Sequence, residues 1–159
     1  MPEYRPPQRT IPARILTPAG WINGTFHLAK LHSFMDFLNA NTPFFTLTDV
    51  VLPGTKEPAP FIGLRRNAAR LVLPVAGEEQ LLVAPPQNEV DEHVVHCLLE
   101  AGFLSGRLAV KKRLRVSDFL AHQSGFMMLR DCALGEARTR VPIAFVNAQA
   151  LVGLGEAGR

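Results

Sequence analysis

The segment "DFLNANTPFFTLTD" at residues 36–49 returns 82 positions later as "DFLAHQSGFMMLRD" at residues 118–131. At that offset residues 19–52 lie over 101–134 without a gap, and eleven of the 34 pairs are identical. Residue frequencies alone would give roughly 2 or 3. The identities include Gly20/Gly102, Gly24/Gly106, Asp36/Asp118, Phe37/Phe119, Leu38/Leu120, Phe44/Phe126, Leu47/Leu129 and Asp49/Asp131. Pairs such as Trp21/Phe103 and Phe26/Leu108 keep their apolar character.

Beyond residue 52 an offset of 80 lays Asn67 over Asn147 and Leu71-Val72 over Leu151-Val152. The two residues lost would fall in the Pro/Gly-rich "LPGTKEPAP", where a surface loop accepts a deletion. The chain therefore divides into an N-terminal arm at 1–10, a first β repeat at 11–74, a linker at 75–92, a second β repeat at 93–154 and a C-terminal tail at 155–159.

Two copies constrain local structure better than one. "NEVDEHVVHCLLEAG" alone could form an amphipathic helix, with Val90, Val94, Cys97 and Leu98 on one side and Asn88 as its cap. The matching "TIPARILTPAG" carries Pro12 and Pro18, and a proline inside a helix costs about 3 kcal/mol. Strands are expected instead at 11–17 and 93–99, and after a Gly-containing turn at 21–29 and 103–111, where apolar and polar residues alternate. Short helices follow at 33–40 and 116–122, with Ser33 and Ser117 as N-caps. Third strands fall at 43–51 and 125–133, and two more at 60–66 and 69–74, or 141–146 and 149–154. Phe37, Leu38, Phe44 and Leu47 are expected as packing residues, and Asp36, Asp49 and their counterparts as local structure. The fold class is mainly β, in two tandem pseudo-symmetric β-β-α-β-β-β units. These form small bent sheets or barrels with one short helix each, and they depend on each other to cover open strand edges.

Composition sets outer bounds. A 47% hydrophobic and 19% charged chain of 159 residues is a globular protein. It has no apolar run of membrane-spanning length, and prolines and arginines stand where a signal peptide needs apolar residues. No membrane association is expected. Two cysteines, Cys97 and Cys132, are too few for a disulfide framework, which fits a cytoplasmic location. The net charge of +3 is mild, but Arg107, Lys111, Lys112, Arg113 and Arg115 share a stretch free of acids.

At "FIGLRRNAARLVL" (61–73) the chain resembles the second signature of Sm-like proteins, the Hfq and LSm group, where Ile-Arg-Gly-Asn precedes an aliphatic strand. Leu64, Arg65 and Asn67 match, and Arg66 replaces the glycine. Gly24, Asp36, Asn39 and Leu47 echo the order of the first signature, with a longer Gly-to-Asp interval. The second copy has Ala121 for Asn39, and Phe145 and Val146 for the arginines. This resemblance implies a small β-barrel and RNA binding by the first copy. "LRVSDFLAHQSGFMML" (114–129) also resembles the SpoA-type modules of flagellar and type III secretion switch proteins, which implies a structural adaptor.

Catalytic constellations are sparse. His93, His96 and Cys97 in "DEHVVHC" include competent metal ligands, yet on a strand the two histidines point to opposite faces and Cys97 occupies an apolar slot. Ser117, Asp118 and His122 lie within one helix without a nucleophile elbow. No Walker or dinucleotide loop is present. No enzyme activity, cofactor or metal is expected. The expected function is a non-enzymatic binding or scaffold protein acting through protein–protein contacts, with a protein partner or self-association. The alternative is an Sm-like RNA- or DNA-binding protein using basic patches, and a third reading is a small metal-dependent enzyme. The candidate contact residues lie in stretches where the copies differ, Lys112 matching Lys30: Arg65 and Arg66 in the first, and Arg107, Lys111, Lys112, Arg113 and Arg115 in the second.

Overall fold

A computed structural model describes residues 8–83, 89–100 and 102–157. The first five strands are β1 (Gln8–Thr17), β2 (Gly20–Ala29), β3 (Phe44–Val51), β4 (Ala59–Arg65) and β5 (Leu71–Pro74). The second five are β6 (Val90–Leu99), β7 (Gly102–Lys111), β8 (Phe126–Leu134), β9 (Thr139–Asn147) and β10 (Leu151–Glu156). Helix α1 (Phe34–Leu38) joins β2 to β3, α2 (Glu78–Leu81) follows β5, and α3 (Val116–Ala121) joins β7 to β8. The expected linker thus contains a helical turn and the first three residues of β6, Val90, Asp91 and Glu92, while Ala84 to Asn88 lie outside the described residues. The expected arm ends inside β1.

All ten strands form one antiparallel sheet in the order β10-β6-β7-β8-β9-β5-β1-β2-β3-β4. The sheet is not closed: β10 and β4 are its ends, so no barrel forms among the described strands. The two groups of strands meet where β5 pairs with β9, with Leu71 opposite Val146 and Val72 opposite Phe145.

Equal strand order extends to equal register. Phe44 faces Arg65 as Phe126 faces Asn147, and Val50 faces Ala59 as Cys132 faces Val141. The offset of 82 therefore holds through the loop after residue 52, and no two-residue gap exists there. Asn147 corresponds to Arg65 rather than to Asn67. It is buried at the end of β9, where its Nδ2 donates to the Ala69 carbonyl (3.1 Å) and its Oδ1 accepts from Gln149 N (3.0 Å).

The helices start differently. Ser33 Oγ accepts from Asp36 N (3.1 Å), as its type and place predict. Arg115, not Ser117, caps α3; Asp118 lies in the first turn and its carboxylate accepts from Arg115 N (3.1 Å). Ser117 sits inside the helix.

Asp49 and Asp131, expected as local structure, lie within β3 and β8 with φ of 51° and 50°. The pairing of β2 with β3 shifts between Asn23 and Thr25, and that of β7 with β8 between Ser105 and Arg107. Each aspartate supplies the left-handed residue of a bulge, a conformation its short polar side chain tolerates. Opposite the second bulge, a Cβ on Gly106 would lie 2.9 Å from Cys132 Sγ and 3.2 Å from the Arg130 carbonyl, so only glycine fits.

Two apolar clusters fill the fold. The first surrounds Phe26, whose ring meets Phe34, Phe37 and Phe45 edge-on at 5.3, 5.9 and 5.6 Å. The second surrounds Leu104, Leu108, Leu129 and Cys132. At the joint the clusters exchange side chains. Phe126, Ile143 and Phe145 enter the first, while Leu16, Leu71 and Leu73 enter the second. Strand β9 sends Ile143 and Phe145 one way and Ala144 and Val146 the other, so it is buried on both faces.

Candidate functional site

The seven basic candidates do not converge. Arg65 closes β4 with its guanidinium over the Phe44 ring, 5.4 Å from the centroid. Arg66 opens the 3-10 turn Arg66–Ala68 and donates from Nε to the Leu38 carbonyl (2.9 Å). Arg107, on β7, lies between Glu92 (3.4 Å) and Asp131 (3.8 Å), which offset its charge. Lys111 ends β7; Lys112 and Arg113 form the following turn with Arg113 at φ 74°, and Arg115 stands before α3. The side chains of Lys111, Lys112, Arg113 and Arg115 are exposed and form no ion pair with described residues.

Arg66 instead joins a polar hollow of about 320 Å³ where the two halves meet. Asn39 and Asn41 line it from one half, and His122, Gln123 and Gln149 from the other. Asn39 ties the halves at two points: its Oδ1 accepts from Phe126 N (2.7 Å) and its Nδ2 donates to the Phe126 carbonyl (3.2 Å). The hollow adjoins the residues that follow α3, whereas Arg115 precedes that helix, so the two basic groups lie toward its opposite ends.

The histidines separate as a strand dictates. His93 Nδ1 lies 2.6 Å from Glu156 Oε1, and His96 Nδ1 lies 2.6 Å from Ser105 Oγ on the next strand. Cys97 and Cys132 are buried free thiols. Burial pushes both up to about 12, and Cys97 adds to the shift at Cys132. Both stay protonated near neutrality and are poor nucleophiles. Among the described residues no group of three or more His, Cys, Asp or Glu side chains is placed to hold a metal ion. No helix among them is long and apolar enough to cross a membrane.

The features that composition did not disclose are the two ends of the sheet. Beside β4, Phe61 and Phe44 are exposed; beside β10, Val152 and Leu98 are. Phe44, expected in the core, lies on the outer face because the alternation of β3 turns Phe45 and Leu47 inward. Comparison with known proteins finds no matching family model, no matching characterised protein and no matching solved structure.

Proposed function

We propose that the chain is a non-enzymatic binding or scaffold protein, built from a duplicated small β module, that acts through protein–protein contacts at the open ends of its sheet. One observation carries this reading. Among the described residues both terminal strands leave backbone donors and acceptors unpaired along one edge, and each lies beside large exposed apolar side chains, the arrangement that invites strand addition. Duplication is supported by the shared strand order, by the registers that repeat at 82, and by the two aspartate bulges.

In solution the chain is expected to be heavier by light scattering than the 17.5 kDa of one copy, and the exposed substitution Phe61→Lys is expected to reduce that mass. A wild-type chain that stays at one-copy mass, and co-purifies the same proteins as Phe61→Lys, would overturn the reading.

The polar hollow supports a second reading, an Sm-like contact with nucleic acid. Arg66 with four amide side chains offers donors to a phosphate or a base edge, and the Lys111–Arg115 turn offers charge without an ion pair among the described residues. Retardation of single-stranded RNA at low salt should then weaken about tenfold or more between 50 and 200 mM salt, and again with Lys111, Lys112 and Arg113 neutralised. Absence of retardation at low salt removes this alternative.

A further inference from the structure

We infer that the partner at the open ends is a second copy of this chain, joined head to tail with β4 of one copy paired to β10 of the next, in the register of the internal β5–β9 joint. This rests on the binding reading above and specifies its partner. A set of matched positions, 82 residues apart, carries this: they are buried where the other half covers them and exposed where no described residue does.

On the inserting side, Phe126 is 1% exposed and its counterpart Phe44 50%, while Ile143 is 5% exposed and its counterpart Phe61 62%. On the receiving side, Leu16 is 4% exposed and its counterpart Leu98 51%. Sequence does not cause these contrasts, since each position is apolar in both halves. They arise because the internal joint covers one member of each pair and leaves the other at an end of the sheet.

The described residues also form a hollow on the receiving side. Beside β10 a hollow of about 380 Å³ is lined by His93, Leu114, Val116, Leu120, Leu154 and Glu156. The counterparts of Val116, Leu120 and Leu154 in the first half are Phe34, Leu38 and Val72, which lie in the first cluster with Phe126, Ile143 and Phe145 packed among them. Phe145 meets Phe34 there at 5.2 Å. The aromatic pair Phe44 and Phe61 would enter the second-half hollow as Phe126 and Ile143 enter the first.

Steric detail agrees. At the internal joint a Cβ on Gly125 would come within 2.3 Å of Asn39 Oδ1, so a side chain there would displace the Asn39 amide from Phe126. At the matching positions of the proposed joint the sizes reverse, with Pro43 facing Ala121. Such a heterologous joint leaves one donor and one acceptor end on every assembly, so copies close into a ring or extend as a filament.

The internal pair Val72–Phe145 predicts that Leu154 of one copy stands opposite Gly63 of the next. Opposed Cα atoms in an antiparallel pair are about 4.5–5.5 Å apart, within reach of a disulfide. Gly63→Cys and Leu154→Cys, purified separately, mixed and oxidised, are expected to give a band at twice the chain mass, and neither variant alone should do so. Should Leu154→Cys fail to fold, the exposed pair Arg65→Cys and Val152→Cys samples the next rung. It matches the internal rung where Asn147 N donates to the Arg70 carbonyl (3.0 Å). Linkage of Gly63→Cys to itself, or association without the mixed link, overturns this pairing while leaving the binding reading intact. A monomer indifferent to Phe61→Lys overturns both.

Discussion

Phe145→Ala is expected to destabilise the entire chain by about 3–5 kcal/mol, as removal of a fully buried aromatic ring does when the site cannot collapse. Phe145 belongs to β9 yet fills the first cluster against Phe34, and its own backbone pairs with Val72. The ring therefore stabilises strands that its own half does not contain. Unfolding followed by urea should remain a single transition moved to lower denaturant, because the damage is shared across the joint. A variant that splits into two transitions, with the second half unchanged, would show that the halves fold separately and that the joint is weakly coupled.

The second large effect concerns the halves themselves. Expressed apart, residues 1–83 and 84–159 are each expected to lack a cooperative unfolding transition. The first fragment loses Phe126, Ile143 and Phe145 from its cluster, and the second loses Leu16, Leu71 and Leu73. Each also exposes a central strand that the whole chain buries on both faces. A domain of this size has little core to spare. Mixing the fragments should restore structure, visible as recovery of dispersed amide resonances. Two fragments that are each monomeric and unfold cooperatively would contradict the mutual dependence.

These expectations depend on how legibly the chain announces its parts. Proline placement in the first copy rejected a helix over residues 88–101, and the structure has β6 there. Alternation locates the hairpins β1–β2 and β6–β7, whose registers set Thr17 opposite Gly20 and Leu99 opposite Gly102. Beyond residue 52 the match of Asn67 to Asn147 implies a deletion that the strand registers do not contain. Residue identity was a poor guide there because register is set by the hydrogen-bonded ladder. Arg65 and Asn147 hold the same rung although their side chains do unrelated things.

The basic residues singled out by charge remain scattered for a similar reason. Charge is visible in composition, but its neutralisation is not: Arg107 meets Glu92 from the paired strand and Asp131 across a bulge. The joint did leave a trace. "LVLP" (71–74) and "PIAFV" (142–146) are continuous apolar runs where other strands alternate, the pattern of strands covered on both faces.

By itself the sequence determined a mainly β chain and the positions of the hairpins β1–β2 and β6–β7, because these follow from near-neighbour geometry and a period of two. Only the tertiary structure decided that β5 pairs with β9, that the two sheets are one, and that of each like pair such as Phe126 and Phe44 one is buried and the other left at an end. The physical reason is that two similar halves present the same apolar positions, and which of those positions is covered depends on contacts across the joint.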